Sequence, residues 1–185
     1  MNPVTSETKA ALAGTLIFII GVFPIFYIWI PYGIVSSRYV YAFDIGGMRY
    51  LGIGFIILGM IAAALSSIGF IIHGKGSPIP FTPTKELIVT GIYKYVRNPL
   101  YLAGSSVLIG EVLLFQSFGL LVYFIIMFGI FYIHALIEEK HLENEFGETY
   151  NHYRKSVPRW IPNLSSYKGK NGGPATSQED TSTNY

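Results

Sequence analysis

The chain has 185 residues, of which 51% are hydrophobic and only 13% are charged. Soluble globular domains carry about 25% charged residues, so this composition excludes an ordinary soluble domain. The absence of cysteine excludes a disulfide framework, a thiolate nucleophile and a cysteine-ligated metal. The formal net charge of +2 does not by itself favour any class of partner.

Four long apolar segments predict an all-α, polytopic helical membrane protein. A helix needs about 20 apolar residues to cross the hydrocarbon core, and the first two segments each exceed that length. The third segment is interrupted by Glu111 and the fourth by His134. The predicted spans are residues 10–30, 50–72, 99–115 and 118–137. Hydropathy leaves open whether a fifth membrane helix lies in the 31–48 or 74–98 connection.

The first two spans carry local signals of their own. The first is predicted to be retained rather than cleaved as a signal peptide, because it is long and lacks a small-residue cleavage pattern. Pro24 is expected to kink it. In the second span Gly59, Ala63 and Ser67 recur every four residues. This pattern fits a stripe for close helix packing, although incidental small residues explain it equally well.

The third and fourth spans are joined only by a turn at Gln116 and Ser117, which predicts a tight antiparallel hairpin. Helical periodicity continues past the fourth span and is expected to break near Gly147. One face of this helix carries His134, Glu138, Leu142, Phe146 and Tyr150 or Tyr153. A single membrane domain is predicted over residues 1–163. The Ser-, Thr- and Gly-rich residues 164–185 are predicted to be a disordered tail.

Lysine and arginine are distributed unequally between the two predicted sides of the membrane. Eleven of the 13 fall on the side that holds both termini and the 73–98 connection. Only Arg38 and Arg49 fall on the other side. The positive-inside rule therefore predicts an integral, multi-pass membrane protein whose N- and C-termini are both cytoplasmic.

The third span begins with Asn98 and Pro99. Asn is favoured at a helix N-cap and Pro at the first helical position, so the pair accounts for a helix start. A helix N-terminus also suits an anionic or electron-rich ligand. The nearby Tyr93, Tyr95 and Tyr101 suit either a membrane interface or the wall of a ligand pocket.

Glu138 and Glu139 stand where the fourth span leaves the membrane. A solvated charge cluster is one interpretation. Glu138, however, shares a helix face with Leu142 and should point inward, where an unpaired carboxylate is costly. Glu138 and His141 have the spacing of a di-iron helix, but such a site needs a second pair and the sequence contains none, so no metal is predicted. Glu111 is a functional candidate by the same cost argument, unless it snorkels to the far interface.

Three motifs occur in order: TGIYKYVRNPLYLAG opens the third span, EE ends the fourth, and LENEFGETYNHYRKSVPRWIP follows. Together they resemble the isoprenylcysteine carboxyl methyltransferase family of integral membrane enzymes, to which phospholipid methyltransferases and sterol reductases are related. The resemblance covers about residues 83–162. It implies an enzyme that binds S-adenosylmethionine (SAM) in a cytoplasmic region formed by residues 83–101 and 134–162.

The resemblance also assigns site residues by motif position. The implied cofactor contacts are Lys85, Glu86, Leu87, Ile88, Tyr93, Asn98, Pro99, Leu100, Tyr101 and Glu138. The candidate catalytic residues are Arg97, His134 and Arg154, which would hold a carboxylate of acceptor or cofactor, although Arg97 also suits a cytoplasmic anchor. Asn98 stands where the eukaryotic members have histidine, and His134 stands where they carry the arginine that holds the substrate carboxylate.

The predicted function is SAM-dependent methyl transfer to a lipid-tailed acceptor at the membrane–cytoplasm boundary. The preferred acceptor is the carboxylate of an isoprenylated cysteine, and the alternative is the amine of a phospholipid head group. A nicotinamide-dependent membrane reductase and a non-catalytic membrane scaffold are kept as other classes. The first would bind a nicotinamide nucleotide instead of SAM, and the second would bind neither. Membrane lipids are expected partners, and nucleic acid is not.

Overall fold

A computed structural model of the chain describes residues 13–14, 16–37, 42–69, 87–163 and 167. The described residues form helices and no β-strand, which confirms the all-α prediction. A first apolar helix, Ile20–Ser36, ends in the α-helix Ile30–Ser36 (α1). The other α-helices are Leu51–Gly69 (α2), Pro99–Phe115 (α3) and Phe118–Ser156 (α4). Short 3-10 helices at Gly46–Tyr50 and Gly91–Lys94 precede α2 and α3.

The first helix is irregular around Pro24. π-Helical segments cover Phe18–Val22 and Ile25–Trp29, one on each side of this proline. A proline inside a helix lacks an N–H, and its ring clashes with the carbonyl four residues earlier, so wider turns accommodate it. The distortion expected at Pro24 is therefore present as π-helical turns.

In the described part of the chain, two helices are long and apolar enough to cross a membrane: Gly46–Ile68, which joins the first 3-10 helix to α2, and Phe118–Ser156. Only 17% of the apolar stretch of each is buried inside the protein. Large apolar side chains such as Leu58 and Ile125 are instead 64% and 59% exposed, as expected of helices that face lipid. These features agree with a helical membrane protein. The four predicted spans and the orientation of the termini stay predictions.

Glycines bring α2 and α3 into close antiparallel contact. A Cβ added at Gly59 would lie 2.7 Å from the carbonyl oxygen of Ala103. One added at Gly52 would collide with the carbonyl oxygen of Gly110. Small residues at helix contacts are typical of membrane bundles, because they let two backbones approach. Gly59 belongs to the stripe suggested by the sequence, whereas Gly52 and Gly110 were not anticipated.

A tight turn joins α3 to α4. Gln116 adopts the left-handed conformation with φ 53°, and Ser117 caps α4 by accepting a hydrogen bond from the Leu120 N–H at 3.3 Å. Farther along the pair, the rings of Tyr101 and Phe131 lie 5.6 Å apart between centroids. The predicted antiparallel hairpin is therefore confirmed.

The helix α4 continues well beyond the predicted span. Its 39 residues would measure about 58 Å if straight, nearly twice the ~30 Å of a hydrocarbon core. It breaks at Gly147, whose φ of 50° and ψ of −124° are not helical, as the sequence predicts. The part after this break packs Tyr150 and Tyr153 against Leu87 and Val89 in one buried cluster. The connection before α3 is thereby fixed against the end of α4.

Tyr167 lies within the segment predicted to be a tail. Its ring centroid is 5.4 Å from that of Tyr153, and its N–H donates to the carbonyl oxygen of Lys94 at 3.1 Å. The packed region therefore reaches this residue. The rest of residues 164–185 lies outside the described part of the chain.

Candidate functional site

A cleft opens where α3 begins and α4 leaves its predicted membrane span. Its empty space measures about 440 Å³, a volume that includes the part open to solvent. The cleft is lined by Leu87, Ile88, Tyr93, Arg97, Asn98, Glu138, Glu139, Leu142, Tyr150 and Tyr153.

Asn98 stands at the N-cap of α3, and Pro99 follows as its first residue, as predicted. The Asn98 side chain makes no capping hydrogen bond, however. Its amide Nδ2 donates instead to Oε1 of Glu139 at 3.1 Å, and both residues are buried. The start of α3 is thus tied to α4, which corrects the expectation that the Asn98 side chain caps its own helix.

The Glu139 carboxylate is the centre of a buried ionic cluster. It accepts a hydrogen bond from Arg97 Nη1 at 3.0 Å, and Arg159 donates to both of its oxygens at 2.9 and 2.8 Å. Glu139 is only 6% exposed. Ion pairing and hydrogen bonding compensate for the loss of hydration that such burial entails. Arg97 is therefore already paired with Glu139 through its Nη1 atom. The sequence had suggested a ligand contact or a cytoplasmic anchor for this residue.

Glu138 has a different environment from its neighbour. Its side chain reaches the cleft and accepts a hydrogen bond from the Tyr101 hydroxyl at 3.0 Å. Glu138 is exposed, and among the described residues it forms no ion pair. Glu138, which was predicted to point inward, thus lies in the lining of the cleft. The buried carboxylate of the pair is Glu139.

Tyrosines form one wall of the cleft. The Tyr153 hydroxyl donates to the carbonyl oxygen of Tyr93 at 2.7 Å. The rings of Tyr150 and Tyr153 lie 6.2 Å apart between centroids. Burial raises the pKa of the Tyr93 and Tyr153 phenols well above their ordinary value, so both stay neutral at physiological pH. The wall therefore contributes hydrogen bonds and apolar surface rather than charge.

The structure brings six of the predicted site residues to the cleft lining. They are Leu87, Ile88, Tyr93, Arg97, Asn98 and Glu138. Tyr101 lies beside the lining through its hydrogen bond to Glu138. Pro99 and Leu100 belong to the first turn of α3 and do not line the cleft.

The remaining predicted residues are not brought to the cleft. Arg154 pairs with Glu143 at 2.9 Å, and the two side chains are 41% and 37% exposed. His134 is exposed on α4 and is absent from the cleft lining. This geometry gives no support to a catalytic role for either. Lys85 and Glu86 lie outside the described residues.

Sequence reasoning did not assign five residues to this site. They are Glu139, Leu142, Tyr150 and Tyr153 in the lining, and Arg159 behind Glu139. Leu142 and the two tyrosines lie on the helix face that periodicity had identified, so that signal was sufficient to find them. Arg159 joins Glu139 across the end of a helix, and no local pattern encodes such a contact.

Comparison with known proteins places the chain in a family. A family model for phospholipid methyltransferases matches residues 48–149, which is more than half of the chain. The chain belongs to the phospholipid methyltransferase family. The matched region includes α2, α3 and most of α4, and with them Asn98 and Glu138. The family resemblance seen in the sequence motifs is thereby confirmed, and the chain is a membrane methyltransferase by family.

Two known proteins resemble this chain, one over a part of its length and the other at low identity. The chain is 35% identical over 77 residues to the Protein-S-isoprenylcysteine O-methyltransferase of Schizosaccharomyces pombe, covering 41% of this chain and 33% of that protein. It is 22% identical over 126 residues to the Nickel-cobalt-cadmium resistance protein NccN of Alcaligenes xylosoxydans xylosoxydans, covering 65% of this chain and 56% of that protein. The aligned regions thus span a third to just over half of these relatives' own lengths.

Proposed function

We propose that this family member is a SAM-dependent methyltransferase that acts on a lipid-tailed acceptor where the membrane meets the cytoplasm. We assign the carboxylate of an isoprenylated cysteine as the preferred acceptor. The observation that carries the proposal is the cleft at the start of α3, where Tyr93, Asn98 and Glu138 lie together beside lipid-exposed helices. The name of the S. pombe relative supports this choice of acceptor.

The cleft residues fit the chemistry of SAM. The carboxylate of Glu138, which lines the cleft, suits ribose hydroxyls or an amino group. Leu87, Ile88 and Leu142 supply an apolar surface against which the adenine ring of SAM would pack. Arg97 Nε is buried and has no hydrogen-bond partner among the described residues, and it supplies a donor for a carboxylate. When bound, SAM would supply a methyl group on a positively charged sulfur, which is already activated for transfer.

The task of the protein's own residues is to position two reactants and to exclude water. Holding reactants in the geometry of attack removes the entropic cost of a bimolecular encounter. The apolar part of the lining keeps water from the reacting atoms. Asn98 and Arg97 are fixed by Glu139, so their remaining donors occupy defined positions. Glu139 is fully occupied by protein donors, and we assign it no ligand contact.

A carboxylate acceptor matches this set of residues. An α-carboxyl group has a pKa of about 3.3–3.7, so it is ionised at pH 7 and needs no general base. The described lining residues of the cleft include no histidine that would serve as one. The apolar outer faces of α2 and α4 give a lipid tail access from the bilayer. In the predicted orientation, with both termini cytoplasmic, water-soluble SAM would enter the cleft from the cytoplasm.

A phospholipid amine is the second candidate acceptor, because the matching family model is that of phospholipid methyltransferases. An ammonium group has no lone pair and must lose a proton before it attacks a methyl group. Glu138 is the accessible carboxylate of the described lining and would take that proton. This mechanism makes the rate depend on deprotonation, which a carboxylate acceptor does not require.

The acceptor is tested with purified protein in liposomes and methyl-labelled SAM. One set of liposomes carries a farnesylated cysteine analogue, and the other carries phosphatidylethanolamine. The proposal predicts transfer to the farnesylated analogue at a rate that changes less than about twofold between pH 6 and 8. Transfer to the phospholipid, rising about tenfold per pH unit below an amine pKa near 10, would establish the second candidate instead. Transfer to neither acceptor contradicts both assignments.

A further inference from the structure

Residues 157–163, which we call the C-terminal strap, fold back from α4 onto the connection that precedes α3. The carbonyl oxygen of Pro158 accepts a hydrogen bond from the Arg97 N–H at 3.0 Å. The Asn163 N–H donates to the carbonyl oxygen of Tyr95 at 2.8 Å. The strap is therefore hydrogen-bonded to the same short segment that carries Arg97 to the cleft.

Arg159 is the strap residue that reaches the ionic cluster. Its Nε and Nη2 atoms donate to Oε1 and Oε2 of Glu139 at 2.9 and 2.8 Å, a bidentate arrangement. The Arg159 side chain is 29% exposed and that of Glu139 only 8%. The guanidinium carbon also lies 6.0 Å from the centre of the Tyr132 ring. Arg159 does not line the cleft.

Each oxygen of Glu139 joins one strap donor to one cleft donor. Oε1 receives Asn98 Nδ2 at 3.1 Å together with Arg159 Nε. Oε2 receives Arg97 Nη1 at 3.0 Å together with Arg159 Nη2. A bidentate guanidinium fixes the plane of a carboxylate, which a single donor does not. The orientation in which Glu139 meets the two cleft residues is therefore set from the strap.

We propose that Arg159 is a positioning residue for the cofactor site, and that it acts through Glu139 to place the donors of Asn98 and Arg97. The inference rests on the proposed function, because the ligand of the site is SAM. It makes the strap a functional part of the site. It also requires the planar fork of arginine, because lysine offers a point charge that cannot hold both oxygens in one plane.

The next strap residue provides an independent measure of strap docking. The Trp160 ring centroid lies 5.5 Å from that of Phe128 and 6.1 Å from that of Tyr132. The chain contains two tryptophans, and the other is Trp29. A Trp29→Phe background therefore leaves Trp160 as the single indole fluorophore. Its emission reports whether the strap is packed on α4, whether or not a ligand binds.

The test measures the affinity for S-adenosylhomocysteine by calorimetry and the Trp160 emission, both in the Trp29→Phe background. The variants are Arg159→Gln and Arg159→Lys. Lys155→Gln, an exposed residue in the last turn of α4, is the matched control. We expect Arg159→Gln to weaken binding about tenfold or more and Arg159→Lys about threefold or more, with unchanged emission. The control is expected to stay within about twofold.

A second arm asks whether Arg159 acts through Glu139. In a Glu139→Gln background, Arg159→Gln is expected to weaken binding by less than about twofold further, because both substitutions break the same connection. Independent effects that multiply in the double variant overturn the inference. If Arg159→Gln does not fold, Arg159→Lys carries the first arm by itself.

The outcomes separate this inference from the proposed function. Unchanged affinity in the Arg159 variants overturns the inference alone. Weaker affinity with red-shifted Trp160 emission also overturns it, because the strap has then undocked and the role of Arg159 is structural. If the protein with Arg159 intact binds neither SAM nor S-adenosylhomocysteine, the proposed function fails and the inference fails with it.

Discussion

Asn98 donates its side-chain amide to Glu139 at 3.1 Å across 41 positions of the chain, and it leaves the N-terminus of α3 without a side-chain cap. An asparagine in this position normally accepts a hydrogen bond from its own helix. Here the tertiary contact forms instead of the cap, because a buried carboxylate such as that of Glu139 costs more free energy when it lacks hydrogen-bond donors than an uncapped helix end does. Asn98 therefore couples the helix start to the ionic cluster.

The first prediction concerns the chemistry of position 98. Asn98→Asp places a second carboxylate against Glu139, and SAM affinity is expected to fall about tenfold or more, because a buried donor becomes a like charge. Asn98→His keeps an N–H donor and is expected to stay within about threefold. Calorimetry of both variants checks this, with the exposed Asn144→Asp as control. Equal tolerance of Asp and His at position 98 would contradict the account.

The second prediction concerns the contact between α2 and α3. A Cβ at Gly59 meets the carbonyl oxygen of Ala103 at 2.7 Å, whereas one at Gly54 meets nothing within 4 Å. Gly59→Ala should lower the free energy of unfolding by about 1–3 kcal/mol through overpacking. Gly54→Ala should leave it unchanged or raise it by about 0.5–1 kcal/mol, because Gly is unfavourable inside a helix. Thermal unfolding in detergent measures both, and similar midpoints for the two variants would refute this packing.

The third prediction concerns the tyrosine wall. Tyr153→Phe removes the 2.7 Å hydrogen bond to the Tyr93 carbonyl oxygen. A buried polar group left without its partner costs about 1–3 kcal/mol, so the free energy of unfolding should fall by that amount. Tyr32→Phe, at a tyrosine that is 67% exposed, should change it by less than about 0.5 kcal/mol. Indistinguishable unfolding curves for the two variants would show that the Tyr153 contact contributes nothing.

The fourth prediction concerns Glu111 in α3. It is 7% exposed, and its Oε2 atom has no hydrogen-bond partner in the described part of the chain, so it does not snorkel to the surface. It lies about 20 Å along the helix from Asn98, too far to touch the cleft. Glu111→Gln removes the possibility of an unpaired buried charge, so stability should stay equal or rise, and methyl transfer should be unchanged. A folded Glu111→Gln protein without activity would assign this residue a function.

The sequence predicted the helices where local signals were strong. The bounds of α3 follow from Asn98 and Pro99 at one end and from the polar turn at Gln116 at the other. The break at Gly147 was likewise predicted, because glycine adopts a positive φ without strain. These features depend on neighbouring residues alone. Local sequence signals of this kind are sufficient to predict where a helix begins, ends or breaks.

The sequence was less informative about the ionic cluster. Periodicity placed Glu138 on the inner face of α4, but it gave no role to Glu139, whose side chain points about 100° away on the helix. In the structure the strap covers that second face, and both glutamates have partners. The role of Glu139 depends on Arg159, which lies 20 positions later and after the end of the helix. Only the tertiary fold brings these two residues together.

The most direct test of the account is calorimetric binding of SAM to the detergent-purified protein and to two single variants. Glu138→Gln removes the carboxylate that accepts from Tyr101 in the cleft, and Glu143→Gln removes a half-exposed carboxylate of the same helix that pairs with Arg154. The account predicts that SAM binds the unsubstituted protein and Glu143→Gln alike. It predicts that Glu138→Gln binds about 10–100-fold more weakly, as expected for a lost charge-assisted hydrogen bond. No binding to the unsubstituted protein, or equal binding to Glu138→Gln, would contradict a SAM site in this cleft.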